Sequence, residues 1–433
     1  GVPKFIFVIL ATTAVDFYLV RRLYKSEKEK DRRLFLILSL ALNLGLLFYF
    51  KYCNFFIENF NFVLGQLGFK DVEWTEVVLP IGISFYTFES LTYVIDVYRR
   101  VHKPLDNFWQ YQLYILLFPK LIAGPIIRYH EIADQIPDRS TNYTVDNKLT
   151  GFFRFVIGLS KKVLIANVMG EKADAIFQIM PDSLTSAVAW TGMLTYTFQI
   201  YFDFSGYSDM AIGIGKMIGF KFSENFNNPY TSGSITEFWR RWHMTLGNWM
   251  RNYLYIPLGG NQVKTKTKLY FNLWIVFLAS GLWHGAAWTF IIWGAYHGLF
   301  LVLERMFLLK VYEKIGKYFS VLITFLIVAI GWVFFRADTF SYAIDFIKKL
   351  FVFDWTVPSL FFDRKFIIIL IIAAIFSFFT LFRAGQYIQQ KVYYENPGTA
   401  LSVVYAFGAC ALFMLSLAFV TSNGFNPFIY FRF

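Results

Sequence analysis

Charge is scarce in this chain. Lys, Arg, Asp and Glu make up 16% of its 433 residues, against roughly 25% in ordinary soluble domains. That deficit excludes a disordered chain and argues against a soluble enzyme. Cysteine is scarcer still. Cys53 and Cys410 both lie in apolar surroundings, with no CxxC and no zinc or redox spacing. A disulfide scaffold is excluded, and both read as packing residues. Also missing are a Walker loop, a GxGxxG opening a βαβ unit, GxSxG, HExxH and any clustered Cys/His set. Nothing points to a nucleotide motor, a nicotinamide enzyme, a zinc hydrolase or a metal site.

What the chain has is apolar surface. It is 57% hydrophobic, with 53 Phe, 27 Tyr and 12 Trp. The segments Leu34–Phe50, Ser183–Phe202, Leu269–Leu303, Tyr318–Phe335, Phe366–Phe382 and Asn396–Phe431 carry no formal charge, counting His as neutral. A helix crossing a bilayer needs about 20 mainly apolar residues, and several of these runs reach that length. They are apolar all round, whereas barrel strands alternate over about 10 residues. The expected class is an all-α polytopic membrane protein, folded as one domain over 1–433. Expected spans are 4–20, 34–51, 77–98, 109–127, 150–168, 185–202, 206–219, 269–283, 285–304, 318–335, 366–382 and 400–421.

The net charge of +12 would suggest nucleic acid in a soluble chain. Here the basic residues cluster in short loops between apolar runs: Arg21–Arg33, Arg99–Lys103, Lys264–Lys268 and Arg383–Lys391. That is the positive-inside bias of a membrane protein facing anionic lipid, with no nucleic-acid partner. The Arg21–Arg33 loop is expected in the cytoplasm. Arg99 and Arg100, two crossings later, belong on the same side.

The least hydrophobic central stretch is Phe222–Gln262. Ser234 and Glu237 fit a capping box, so a helix is expected to follow and to stop before Pro257 and Gly259–Gly260. On it Trp239, Trp242, His243, Leu246, Trp249, Met250 and Tyr253 form an amphipathic stripe, with Arg240, Arg241, Asn248, Arg251 and Asn252 elsewhere. Such a helix is interfacial, or re-entrant and shielded by protein.

Five histidines occur. His102 and His130 lie in polar stretches. His284 sits inside the uncharged run Leu269–Leu303, and an ionisable group at membrane depth normally faces a cavity or a partner. Gly281 and Gly285 beside it would let a substrate or another backbone come close. Titration near neutral pH suits a general base; the bland alternative is a neutral cross-helix hydrogen bond. His297 lies 13 residues on. On one continuous helix that is roughly 220° round and about 20 Å along, so it is expected to be structural. His243 is either an interfacial packing residue or shares a cavity with His284. Asp203 and Asp209, with Glu89 and Asp96, form a set of buried acids read mainly as helix-terminus and cross-helix partners, Arg being a candidate partner. Ser205 and Gly206 predict a helix break between the two aspartates.

Six motifs give a resemblance over nearly the whole chain: PIGISFYTFESLTYVIDVYRR (80–100), FPKLIAGPIIRYHEI (118–132), QIYFDFSGYSDMAIGIGKMIGF (199–220), NFNNPYTSGSITEFWRRWHMTLGNWMRNYLYIPLGGN (225–261), GLWHGAAWTFIIWGAYHG (281–298) and GWVFFRADTF (331–340). Together they resemble the membrane-bound O-acyltransferase family, in its bacterial alginate O-acetyltransferase branch. The resemblance implies about 11 transmembrane helices plus re-entrant or amphipathic helices around a central tunnel, spanning the bacterial inner membrane. It implies two catalytic histidines, His284 in GLWHG and His243 in RRWH. Asp203, Asp209, Trp242, Asn248, Trp283, Asn225 and Asn228 are the expected tunnel residues. It implies acetyl-CoA as acyl donor and co-substrate, no bound cofactor, and an extracytoplasmic SGNH-type partner that decorates a polysaccharide such as alginate or peptidoglycan. Base and acyl-histidine roles for His284 both stay open. The family has an apolar segment before Gly1, so its N-terminal helix is expected to lie outside this chain. The alternatives are a D-alanyl or other acyl transferase using a carrier-protein thioester, and, from another class, a transporter or a membrane scaffold.

Overall fold

A computed structural model describes residues 5–356, 362–395, 398–423 and 428–429. Every regular element among them is helical. Five stretches of these residues are long and apolar enough to cross a bilayer: Glu29–Gln66, Trp288–Ile315, Lys317–Arg336, Arg364–Leu381 and Leu401–Ser422.

Helix α1 (Phe5–Lys25) packs on α2 (Glu29–Leu47), which runs through a π turn at Phe48–Tyr52 into α3 (Cys53–Gln66). Helix α4 (Ile83–Tyr98) returns to the start of α2. There Arg32 donates to the Tyr98 carbonyl at 2.5 Å, and the Tyr98 hydroxyl donates to Glu29 at 2.7 Å. The two basic loops assigned to one membrane face therefore sit at one end of the bundle.

Short helices α5 (Phe108–Leu116) and α6 (Tyr129–Ile132) lead to α7 (Val145–Ser160), which continues through a π turn into α8 (Asn167–Phe177). The central element is α9 (Ser186–Met217), against which α7, α8 and several later helices pack. Next come α10 (Ile235–Arg241), α11 (Met244–Met250), α12 (Lys266–His284), α13 (Trp288–Leu303), α14 (Leu309–Ile315), α15 (Lys317–Arg336), α16 (Phe340–Lys349), α17 (Arg364–Phe378), α18 (Arg383–Tyr393) and α19 (Thr399–Asn423). The apolar run Asn396–Phe431 lies partly outside the described residues.

Several expected boundaries move. Spans 185–202 and 206–219 are one helix of 32 residues, with no break at Ser205–Gly206. The glycines there serve packing. A Cβ on Gly158 would lie 2.5 Å from the Gly206 carbonyl, and one on Gly213 the same distance from the Gly151 carbonyl. Only glycine lets α7 and α9 approach so closely. In 109–127 the helix ends at Leu116, because Pro119 follows in a 3-10 turn and cannot donate to a continuing helix. In 77–98 the helix begins only at Ile83, after Gly82 at φ 81°. The run Leu269–Leu303 is two packed helices, as the spans 269–283 and 285–304 anticipate, separated at Gly285–Ala287.

The expected amphipathic helix after Ser234 also breaks. Ser234 caps it as foreseen, accepting from Glu237 N–H at 3.0 Å, while the Glu237 carboxylate returns to Gly233 N–H at 2.8 Å. The helix stops at Arg241 and restarts at Met244. Trp242, His243, Leu246, Trp249 and Met250 are all buried, so the segment is shielded by protein.

Candidate active site

His284 is the last residue of α12, and its position follows from the glycines around it. A Cβ on Gly281 would lie 2.3 Å from the Phe290 carbonyl; one on Gly285 would lie 2.2 Å from the Phe290 ring. Both positions let the first turn of α13 close onto the end of α12. It is another backbone, not open space, that the small residues admit. The His284 ring is buried among Trp283, Trp293 and Phe335, with centroids 5.0, 5.2 and 5.1 Å away.

His243 lies at the break between α10 and α11, with φ 44° and ψ 52°. A left-handed residue other than glycine costs about 1–2 kcal/mol, so the surroundings must hold it. They do so through the Asn225–Asn228 loop. Asn227 N–H donates to the Arg241 carbonyl, and Met244 N–H donates to the Asn225 carbonyl, both at 2.9 Å. The Asn225 side-chain oxygen accepts from Thr245 N–H at 3.3 Å, from the Thr245 hydroxyl at 2.9 Å and from His243 Nδ1 at 3.1 Å. A backbone N–H can only donate, which identifies that Asn225 atom as the oxygen. Nδ1 of a neutral His243 therefore carries the proton, and Nε2 keeps its lone pair. That Nε2 is buried and has no hydrogen-bond partner among the described residues.

The two histidines, far apart in sequence, meet. Their ring centroids are 6.4 Å apart, with Trp283 beside both, 6.0 Å from His243. A cavity of about 200 Å³ reaches His284, lined by Lys51, Leu79–Phe85, Ile122 and Trp283. Sequence reasoning missed Lys51. It is the one cation from Leu34 to the end of the 38-residue helical stretch Glu29–Gln66. A lone cation inside such a run was the available signal.

The other expected site residues divide. Trp283 lines the cavity, and Asn225 holds His243. Trp242 is packed against Phe226, Phe238 and Trp332 at 5.1, 5.5 and 4.8 Å. Asn248 is half-buried on α11 and does not line the cavity. Asp209 pairs with Arg154 and Lys161, both at 2.7 Å, and with Asn228 borders a separate cavity of about 510 Å³. Asp203 pairs with Lys162 at 2.9 Å and accepts from Ile429 N–H at 3.0 Å. Glu89 pairs with Lys120, and Asp96 with His130 at 2.8 Å and the Tyr253 hydroxyl at 2.8 Å. Each of the four acids is thus a cross-helix partner, of Lys or His as well as Arg. His102 pairs with Asp134 at 3.0 Å. The helical geometry assumed for His297 does not hold, because α12 and α13 fold back on each other. His297 is one ring removed from His284, with Trp293 between them at 5.2 Å from each.

Residues 40–314 match the membrane-bound O-acyltransferase family. The chain is 47% identical over 326 residues to "Probable alginate O-acetylase AlgI" of Pseudomonas aeruginosa, covering 75% of this chain and 62% of that protein. With the protein of the same name from Pseudomonas putida the identity is 40% over 426 residues, covering 94% and 86%. With "Peptidoglycan O-acetyltransferase" of Helicobacter pylori it is 38% over 375 residues, covering 80% and 70%. The chain thus spans less than two thirds of the first relative's length and more of the others. The family match takes in both histidines, the Asn225–Asn228 loop and every residue lining the His284 cavity. This multi-helix membrane protein belongs to the membrane-bound O-acyltransferase family.

Proposed function

We propose that this chain is an O-acetyltransferase of the bacterial inner membrane. It takes an acetyl group from acetyl-CoA on the cytoplasmic side and delivers it to a hydroxyl on the other side. An SGNH-type partner then esterifies an extracytoplasmic polysaccharide, alginate or peptidoglycan by analogy with the relatives. The observation that carries this reading is the meeting of His243 with His284, ring centroids 6.4 Å apart, where His284 and the Trp283 between them line a small cavity.

The chemistry needs little beyond positioning, because a thioester is already activated. The hydroxyl oxygen attacks the thioester carbonyl carbon. The C–O bond forms, and the carbonyl pair moves onto oxygen. Its return breaks the C–S bond and expels the thiolate. His284 takes the hydroxyl proton and returns it to the departing sulfur. His243, its tautomer held by Asn225, offers a lone pair from Nε2 to orient or assist. Holding both reactants in one cavity supplies much of the rate. A cavity of about 200 Å³ suits a short acyl group better than a fatty chain. Donor access from the basic end is supported by a third cavity of about 430 Å³, which Arg154, Lys216 and Lys221 border together with Glu224 and Glu395. Lys221 N–H donates to Gln135 at 2.7 Å, and the adjacent Asp134 pairs with His102 near Arg99–Lys103. Cations there attract the phosphates of CoA.

The test compares ester-linked acetate, released from surface glycan by mild base and weighed by mass spectrometry, in cells with and without the chain. Equal acetate in both, with no consumption of acetyl-CoA by membranes carrying the protein, would sink the proposal. Asn225→Ala gives a finer expectation. Losing the Asn225 oxygen leaves Thr245 N–H and His243 Nδ1 buried without their acceptor, at about 1–3 kcal/mol for each group. Turnover is expected to fall severalfold or more, while the protein still inserts. Unchanged turnover would remove His243 tautomer control from the mechanism.

A further inference from the structure

The C-terminus of α12 poses an electrostatic problem. His284 is its last residue, and the final carbonyls of a helix lack intrahelical donors. Aligned peptide dipoles place roughly half a negative charge at such an end. Attack on a thioester also creates negative charge, first on the carbonyl oxygen and then on sulfur. Unrelieved, the end of α12 would oppose the reaction at the spot where His284 sits.

Two consecutive side chains from the π turn of the α2–α3 helix answer this. The Tyr52 hydroxyl donates to the Leu282 carbonyl at 2.9 Å. The Lys51 ammonium donates to the Trp283 carbonyl, to the His284 carbonyl at 3.3 Å and to the Ser84 hydroxyl at 3.1 Å. Three successive carbonyls of α12 are thereby tied off, and Ser84 brings in the first turn of α4. All three ammonium donors are used, so Lys51 offers no hydrogen bond to a substrate. No ion pair among the described residues includes it, yet it lines the His284 cavity. The π turn matters here, since an extra residue in one turn re-aims the side chains it carries.

We infer that Lys51, with Tyr52, is a positioning residue for His284: it fixes the end of α12 against the cavity wall and counters the helix's negative end where the transfer builds negative charge. The inference rests on the acyl-transfer reading of His284. It gives the lysine a role in turnover that packing alone would not require.

The experiment reconstitutes the full chain in proteoliposomes and measures kcat and KM for acetyl-CoA in Lys51→Met, Lys51→Arg, Tyr52→Phe and His284→Ala. Lys51→Met keeps the stem and removes the charge. It is expected to lower kcat roughly ten- to a hundredfold with little change in KM, the pattern of a lost transition-state interaction. Lys51→Arg retains the cation and is expected to recover most of that loss. Wild-type kcat in Lys51→Met overturns the inference, and so does equal loss in the Met and Arg variants, which would make the residue a packing element. If Lys51→Met does not accumulate in the membrane, Tyr52→Phe decides. A severalfold lower kcat supports the clamp, and an unchanged kcat overturns it. His284→Ala separates the two levels: full activity there removes the acyl-transfer reading itself, whereas an inactive His284→Ala beside a wild-type Lys51→Met removes this inference alone.

Discussion

Replacing His284 by alanine is expected to abolish acetylation while the protein still reaches the membrane. The loss is that of a general base at the reacting hydroxyl, about 10²- to 10⁴-fold. The imidazole lies edge-on to Trp283, Trp293 and Phe335, and the close approach of α12 to α13 depends on Gly281 and Gly285, which the substitution leaves in place. Ester-linked acetate on surface glycan is the readout, with immunoblotting of the membrane fraction as the control. Acetate at the wild-type level with normal protein would reject the mechanism and bring the transporter and scaffold readings forward. His297→Ala is the informative companion, since that ring is also buried against Trp293 but stands outside the cavity. It is expected to retain far more activity than His284→Ala.

The second large effect is on folding. Lys120 and Glu89 pair in full burial, at 0% and 1% exposure, and Lys120 also donates to the Tyr114 carbonyl at 2.5 Å. The lysine ends the 3-10 turn Phe118–Lys120 after α5, where Pro119 keeps α5 from continuing. Removing one partner of a buried pair strands the other charge, at about 3–5 kcal/mol. Lys120→Met is expected to lower the thermal midpoint in detergent sharply and to cut the amount of protein recovered. Glu89→Gln combined with Lys120→Met is expected to recover much of the loss, because the stranded carboxylate is gone. A single variant as stable as the wild type would show that the pair does not hold this segment in place.

Much of the site was legible because its signals are local. An uncharged run containing one histidine, a Ser-x-x-Glu cap and basic loops between apolar spans can each be read without knowing what packs where. Ser234 caps its helix for that reason. Errors arose where a local signal had two physical uses. Gly206 reads as a helix breaker, yet in α9 it is a seat for the backbone of α7. Trp239 to Tyr253 reads as one amphipathic helix, yet the Asn225–Asn228 loop competes for its backbone groups and breaks it at His243. Nothing near residue 243 announces a partner at residue 225. Lys51 reads as the charged end of the span 34–51, whereas the helix runs on to Gln66.

The sequence by itself determined the class and the chemistry on offer: a helical membrane protein, basic at one end, with few ionisable groups inside its apolar segments and two of them histidines in the matched motifs. Composition and hydropathy suffice for this, because the cost of placing charge in hydrocarbon acts on every residue wherever its neighbours lie. The tertiary structure decided which groups meet. His243 comes within 6.4 Å of His284, Asn225 selects its tautomer, and Lys51 and Tyr52 cap α12 from more than two hundred residues away in sequence. Such pairings arise when helices distant in the chain pack together and each buried polar group must find its partner across that packing.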